Sequence, residues 1–353
     1  MREHIDMKAY GLTDRWAALA KEYDGLGIAR VLSQEKGLFC IVGEDGEKWA
    51  KISGKFRFRA QCASELPAAG DFVMADWNET GGTAVLHQVL PRVSCFSRKA
   101  AGSREKEQVV AANLDTVFLC MALNGDFNLR RLERYLSIGW DSGATPVVVL
   151  TKADLCENLE ACFAQVQETA FGVDILVTTA MEPQGCEELR AFCSEGKTVA
   201  FIGSSGVGKS TIINRLLGEE RLETNGLRND DKGRHTTTRR ELFLLPEGGM
   251  VIDTPGMREF GMWDNESGVE KTFADVEALA ERCRFRDCTH INEPGCAVRQ
   301  ALESGGLSEE RWQSYQKLKT ESAYTADKES YLLAKGKREK EISRLIKKLP
   351  VKK

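Results

Sequence analysis

No stretch of this sequence is apolar over the roughly 20 residues a helix needs to cross a bilayer. The opening run MREHIDMKAYG is charged and lacks the apolar centre of a signal peptide. A cytoplasmic location, with no membrane partner, is the resulting expectation. There is little excess of either charge: 49 Lys and Arg stand against 53 Asp and Glu, for a net −4. A nucleic-acid surface must then be local rather than global. Histidine is scarce, at four residues in 353, and His4 and His87 sit in no motif. There is no internal repeat and no long low-complexity tract, which argues against solenoids and fibres. Cysteine is not scarce, at eleven residues. A chain of this length without a secretion signal is not a disulfide scaffold. Cys40, Cys62, Cys95, Cys120, Cys156, Cys162, Cys186 and Cys193 are scattered and read as buried reduced thiols. The other three cluster.

A length of 353 residues implies two or three domains. Residues 1–27 form an N-terminal extension with one helical pattern, DRWAALAKEY. Residues 28–97 read as short strands separated by the turn signals GEDGE, PAAGD and NETGG. An OB-like β-barrel fits this spacing, and so does another small β-domain. Residues 98–112 are charged and read as a linker. From 113 to 265 strands and helices alternate, which predicts a mainly parallel sheet with helices on both faces. Within that region RRELFLLP and GMVIDTPG read as a β-hairpin pair. Residues 266–325 are helical and polar, and a basic tail occupies 326–353.

The stretch TVAFIGSSGVGKSTIINRL is an apolar strand, a GxxxxGKS loop and an amphipathic helix. The phosphate-binding candidates are Gly203, Ser204, Ser205, Gly206, Val207, Gly208, Lys209, Ser210 and Thr211. Gly203, Gly206 and Gly208 let backbone N–H groups converge on phosphate oxygens without a clashing Cβ. The helix N-terminus faces the same anion. Lys209 supplies a point charge between the β- and γ-phosphates, and Ser210 a hydroxyl for Mg²⁺.

Such a loop does not choose between ATP and GTP. The TKAD of residues 151–154, after the strand PVVVL, does. In this pattern Asp154 accepts hydrogen bonds from guanine N1–H and the exocyclic amine, while the Lys152 stem packs on the base. Adenine offers neither donor, and the unpaired acceptor supplies discrimination of roughly 10⁴. VTTAMEPQG follows another strand and places Thr179 and Ala180 to support the base. Downstream lie KGRHTTTRREL and VIDTPGMREFG. In the second, Asp253 would reach Mg²⁺ through water and Gly256 N–H would meet the γ-phosphate. Thr236–Thr238 offer hydroxyls to metal and phosphate, with Thr237 the Mg²⁺ and catalytic candidate.

CRFRDCTHINEPGC places Cys283, Cys288, His290 and Cys296 at C-x₄-C-x-H-x₅-C spacing. Three thiolates and one imidazole complete a tetrahedral shell with no open position, which is the pattern of structural zinc, one ion per chain. Asp287 is an unneeded oxygen donor. KWAKISGKFRFR carries five basic residues, three aromatics and no acid. Strand alternation along KFRFR puts Lys55, Arg57 and Arg59 on one face as an RNA-contact strip, with Phe56 and Phe58 on the other. An ordinary solvated strand face is the alternative. The tail 335–353, with nine Lys and Arg and two Glu, is an RNA contact or a disordered solubilising segment.

The motif order is base reader, base support, phosphate loop, Thr switch, DxxG. The usual order begins with the phosphate loop. In this order, and in GRHTTT, DTPGMREFG and CRFRDCTHINEPGCAV, the chain from about 28 to 320 resembles the RsgA (YjeQ) family of circularly permuted, small-subunit-dependent GTPases. Thr151 departs from the Asn that usually opens that family's base-reading motif and ties it to the phosphate loop. With the divergent N-terminal segment, this leaves room for a paralogue with a shifted role. The resemblance implies a GTP hydrolase acting with Mg²⁺ on the small ribosomal subunit and its 16S rRNA in late maturation, as a monomer stimulated by the subunit. Met257 follows Gly256 where Ras-like enzymes carry a water-orienting Gln. His235 is the nearest replacement, with an RNA phosphate contact or a plain loop residue as alternatives. Placing DxxG at the end of the G domain would wire the switch to the C-terminal domain. Two other readings stay open: an RNA-binding assembly chaperone tuned by guanine nucleotide with little turnover, and a P-loop ATPase or kinase, which Asp154 disfavours.

Overall fold

The computed structural model describes residues 4–35, 37–77, 82–99, 107–179, 182, 184–222, 240–253 and 266–322. Two compact units divide the chain, Met1–Phe260 and Gly261–Lys353.

The first unit begins with helix α1 (Asp14–Ala20), followed by strands β1 (Gly27–Glu35), β2 (Leu38–Gly43) and β3 (Gly46–Ile52), helix α2 (Gly54–Arg59), and strands β4 (Phe72–Asp76) and β5 (Ala84–Val89). These strands follow the order β1-β2-β3-β5-β4, and β4 returns to pair with β1. The β3–β5 pair is parallel and the rest antiparallel. A closed ring of this kind is an OB-like barrel, which decides between the two small β-domains the spacing allowed. Alternate residues of its strands fill the inside, among them Val31, Ile41, Val73 and Leu86. Trp16 of α1 packs on the opposite, outer side of β4, against Phe72 at 5.0 Å between ring centroids.

KFRFR is not a strand. It forms α2, because Ser53 accepts a hydrogen bond from Phe56 N–H at 3.1 Å and caps a new helix just after β3 ends. Phe56 is buried and Phe58 is 91% exposed, so the two rings do not share a face. The stretch read as a linker also carries structure. Glu107–Ala112 is strand β7, paired antiparallel with β6 (Cys95–Lys99). Its Val109–Ala112 run is buried, and apolar burial stabilises it as a strand where the flanking charge suggested coil.

The G-domain strands are β8 (Thr116–Ala122), β9 (Thr145–Thr151), β10 (Asp174–Val177), β11 (Thr198–Gly203), β12 (Glu241–Leu244) and β13 (Met250–Asp253). Between them lie helices α3 (Leu129–Asp141), α4 (Leu159–Thr169), α5 (Glu187–Arg190) and α6 (Lys209–Leu217). Spatial order is β10-β9-β8-β11-β13-β12, parallel except for the β12–β13 hairpin. Alternation along β8 decides which helices it meets. Val117, Leu119 and Met121 join Leu132, Leu136 and Val166 of α3 and α4. Phe118, Cys120 and Ala122 join Leu189, Ile212 and Leu216 of α5 and α6. The chain runs outward through β8, β9 and β10, then returns to lay β11 on the other side of β8. That reversal is the switch point at whose carboxyl edge open α/β sheets bind ligands.

In the second unit, α7 (Glu266–Thr272), α8 (Ala274–Ala280), α9 (Ala297–Ser304) and a helix over 309–322 surround Phe273, Val276, Val298, Trp312 and Leu318. Among the described residues no helix is long and apolar enough to cross a membrane.

Barrel and G domain share one sheet of 11 strands, joined where β1 meets β12 at Ser33 and Glu241. Beside this junction the fully buried Arg30 gathers five segments of the unit. It donates to the carbonyls of Tyr10, Gly70 and Asn113, to Thr198 Oγ1 at 2.8 Å, and approaches Met250 Sδ at 3.3 Å. Its guanidinium also lies 4.9 Å from the Phe72 ring. Burial pulls its pKa down to about 10, which leaves it charged at neutral pH. Arg30→Ala strands several buried carbonyls at once, so we expect a loss of about 3 kcal/mol of stability, read as a lower denaturant midpoint. A midpoint equal to wild type contradicts this role.

Candidate nucleotide-binding site and metal centre

Three candidate segments stand at the carboxyl edge of the parallel sheet. The phosphate loop leaves β11, TKAD ends β9, and Asp253 ends β13. The loop geometry is set by its glycines. A Cβ on Gly203 would sit 2.7 Å from the Cys120 carbonyl oxygen, and Gly208 has φ +107° where α6 begins. Lys209 Nζ donates to the carbonyls of Gly203 and Ser204 at 2.7 Å each, which pins the ammonium to its own loop. Val207 is buried, while Ser205 and Gly206 are exposed. Ser210 and Thr211 lie half-buried in the first turn of α6.

The base-reading loop is tied directly to this cradle. Thr151, 2% exposed, donates its hydroxyl to the Val207 carbonyl at 2.6 Å. The bond spans 56 residues and performs with a hydroxyl the tie expected of an Asn. Lys152 then adopts a left-handed conformation, φ +56°, and Asp154 falls in the 3-10 turn Ala153–Leu155. Thr179 donates its hydroxyl to Asp154 Oδ1 at 2.8 Å. The Thr178 N–H bonds Leu150 O at 2.7 Å, and Ala153 N–H bonds Thr178 O at 3.3 Å, so the β9 and β10 loops run together. Gly185 lies against this loop, where a Cβ would come within 1.9 Å of the Thr179 carbonyl. Ala180, His235, Thr236–Thr238, Gly256, Met257 and the basic tail fall outside the described residues.

Asp126 escaped the sequence reading. It follows β8 and accepts from Ser204 Oγ at 2.6 Å while pairing with Arg131 at 2.9 Å. Burial pushes its carboxyl up, but the Ser204 and Arg131 hydrogen bonds and the Arg131 and Lys152 charges outweigh it and hold it below the usual range. The carboxylate therefore holds the phosphate loop at neutral pH, and the link fails only as pH falls through this lowered value. The signal was its place in NGDFN at the carboxyl end of the strand flanking β11, legible only once that neighbour is known.

In the second unit the ligand atoms of Cys283, Cys288, His290 and Cys296 all lie within 4.8 Å of one another. The Sγ atoms of Cys283 and Cys296 are 3.8 Å apart, and His290 Nδ1 lies 3.6 and 3.4 Å from them. Tetrahedral zinc with Zn–S of about 2.3 Å and Zn–N of about 2.05 Å needs edges of about 3.8 and 3.6 Å. The donor set and spacing fit a structural zinc, and Asp287 is not part of the set. The surroundings hold the ligands in place: Arg299 N–H donates to Cys296 Sγ at 3.4 Å, and the Trp312 ring meets His290 edge-on at 5.5 Å. Glu293 caps the ligand loop, accepting from Thr289, Ile291 and Asn292 N–H, and the bonds from Thr289 lead in holding its carboxyl down to about 2.

Lys55, Arg57 and Arg59 are all exposed on α2, beside Phe58. Period 3.6 rather than 2 now arranges them.

Thr151→Val keeps the side-chain volume but leaves the Val207 carbonyl without its donor. A cost of about 1.4 kcal/mol corresponds to roughly tenfold weaker GDP binding in a fluorescence titration, with Thr151→Ser near wild type. Unchanged affinity in the Val variant contradicts the tie.

Known proteins share this arrangement. The RsgA GTPase family matches residues 89–263. A small ribosomal subunit biogenesis GTPase RsgA 2 from Lactiplantibacillus plantarum is 46% identical over 321 residues, covering 91% of this chain and 90% of that protein. One from Vibrio parahaemolyticus is 45% identical, covering 86% and 81%. Among solved structures, YjeQ from Thermotoga maritima superposes with a TM-score of 0.62 at 27% identity, covering 84% of this chain and 99% of that one. YloQ, described as a circularly permuted GTPase, gives 0.59 at 23% identity, covering 85% and 96%, and supports the fold alone. With the strand order of a permuted G domain, an OB-like barrel before it and a Cys₃His centre after it, the chain belongs to the RsgA family of circularly permuted GTPases.

Proposed function

We propose that this chain hydrolyses GTP while bound to the small ribosomal subunit and its 16S rRNA, acts in late maturation of that subunit, and is stimulated by it. The buried Thr151–Val207 bond supports the reading, because it ties the candidate base-selecting loop to the candidate phosphate loop. The names of the relatives, small ribosomal subunit biogenesis GTPases, support the assignment of the particle.

In this reading Asp154 accepts from guanine, Thr179 orients that carboxylate, and the Lys152 stem packs on the base. Thr179 and Ala180 support the ring from the other side. The loop Gly203–Thr211 holds the phosphates, with Lys209 leaving its carbonyl partners to neutralise the γ-phosphate. Ser210, Thr237 and Asp253 are the residues that would hold Mg²⁺, which supplies charge neutralisation between the β- and γ-phosphates. His235 orients the attacking water in place of the Gln that Met257 displaces. Exposed Lys55, Arg57 and Arg59 contact rRNA phosphates. A zinc ion held by Cys283, Cys288, His290 and Cys296 organises the second unit, one per chain. The protein works as a cytoplasmic monomer, and the segment after β13 links nucleotide state to the second unit.

We expect Asp154→Asn to cut the preference for guanine over adenine nucleotides by at least about 100-fold. We expect purified small subunits to raise GTP turnover in wild type and much less in His235→Ala. An unchanged preference removes the assigned role of Asp154. Turnover indifferent to the subunit favours a nucleotide-tuned RNA chaperone instead.

A further inference from the structure

Two cysteines outside the metal centre meet beside the base-reading loop. The Sγ atoms of Cys156 and Cys162 are 3.9 Å apart, and both residues are half-buried. Among the described residues they belong to no group of three or more metal-ligand side chains. Each thiol is rooted in a different hydrogen-bonded element. Cys156 caps the 3-10 turn Ala153–Leu155, its N–H donating to Ala153 O at 3.2 Å. Cys162 stands in the first turn of α4, its N–H donating to Asn158 O at 3.2 Å, and the Asn158 side chain caps that helix at Ala161 N–H. Asp154 lies in the turn that Cys156 closes.

A disulfide needs about 2.05 Å between sulfurs. The pair must therefore close by roughly 2 Å, which a side-chain rotation with a small backbone shift provides. α4 is an 11-residue helix anchored in the core through Val166 and Phe163, whereas the turn has three residues, rests on that core through Ala153 and Cys156, and exposes Asp154 and Leu155. The turn is the part that yields.

We propose that Cys156 and Cys162 are a thiol–disulfide modification site, joined by a peroxide-class oxidant, and that the bond displaces the turn carrying Asp154 and weakens guanine-nucleotide binding. This rests on Asp154 being the guanine acceptor. One thiolate attacks a peroxide oxygen, breaking the O–O bond and giving a sulfenic acid and hydroxide, which takes up the proton the thiol released and leaves as water. The second thiolate attacks that sulfur and expels hydroxide, which leaves as a second water. Two thiols and one hydrogen peroxide thus become one disulfide and two waters. A thiol reductant reverses the bond by exchange. Burial, then the Cys156 hydrogen bond and charge, push the Cys162 thiol above its ordinary range, so the pair oxidises faster in alkaline solution. A displacement of about 1 Å at a positioning group is enough to lose a large part of its effect.

The test uses the full-length, zinc-loaded protein, treated with hydrogen peroxide and then freed of oxidant. Peptide mass mapping under non-reducing conditions is expected to find a Cys156–Cys162 crosslink that dithiothreitol removes. GDP affinity is expected to fall at least fivefold on oxidation and to recover on reduction. Cys156→Ser and Cys162→Ser are expected to bind GDP like reduced wild type and to show no peroxide effect. Zinc release is followed in parallel, so that oxidation of Cys283, Cys288 or Cys296 is counted separately. No crosslink overturns the proposal, and so does a crosslink that leaves GDP affinity unchanged while reduced Asp154→Asn binds weakly. If Asp154→Asn also binds normally, the assignment of Asp154 fails together with it.

Discussion

A buried hydroxyl on a backbone carbonyl holds together the two loops proposed to bind the nucleotide. The Thr151–Val207 bond joins the end of β9 to the loop after β11, across the intervening β8. Neither partner has a good alternative, since water does not reach a threonine that is 2% exposed. An unmade bond there costs the desolvation of both groups, which is larger than the modest net gain of making it. The loops are therefore held together whatever their order along the chain. This is why permutation is tolerated: a parallel sheet keeps its carboxyl edge when old ends are joined and the chain is opened elsewhere. Asp126 adds a second strap, from the end of β8 to Ser204, so the phosphate loop is held from both the base-reading side and its own neighbouring strand.

The same sheet reaches into the barrel. β13, which ends at Asp253, pairs with β12, and β12 pairs with β1. Arg30 of β1 touches Thr198 at the start of β11 and Met250 at the start of β13. The strands that lead into the phosphate loop and into the DxxG segment thus share a buried guanidinium with the barrel. In the proposed function, covalent order couples the switch to the C-terminal domain. The packing adds a second route, through hydrogen-bonded strands, to the barrel that precedes the G domain.

Much of this was legible in the residues. Apolar strands alternating with amphipathic helices specify the parallel sheet, and GxxxxGKS between a strand and a helix has little other use. The Cys₃His spacing is short enough for local geometry to decide its fate. The misreadings share a cause. KFRFR alternates over too few residues to separate period 2 from period 3.6, and the deciding signal was Ser53 as a cap. Charge around 98–107 hid the apolar Val109–Ala112 that makes β7. Asp126, Arg30 and the Thr151 hydroxyl act on partners 78, 168 and 56 residues away, and no local pattern announces contacts at that range. Cys156 and Cys162 read as plain thiols because their six-residue separation has meaning only when a 3-10 turn and a helix start face each other.

The central claim is that one guanine nucleotide occupies both loops at once. A crystal structure of the complex with a non-hydrolysable GTP analogue and Mg²⁺ tests it most directly. The account predicts guanine N1 and its exocyclic amine on the Asp154 carboxylate, phosphates on the N–H groups of Gly206–Ser210, and the Thr151–Val207 bond intact. Phosphates in the loop with the base turned away from Asp154 would contradict it.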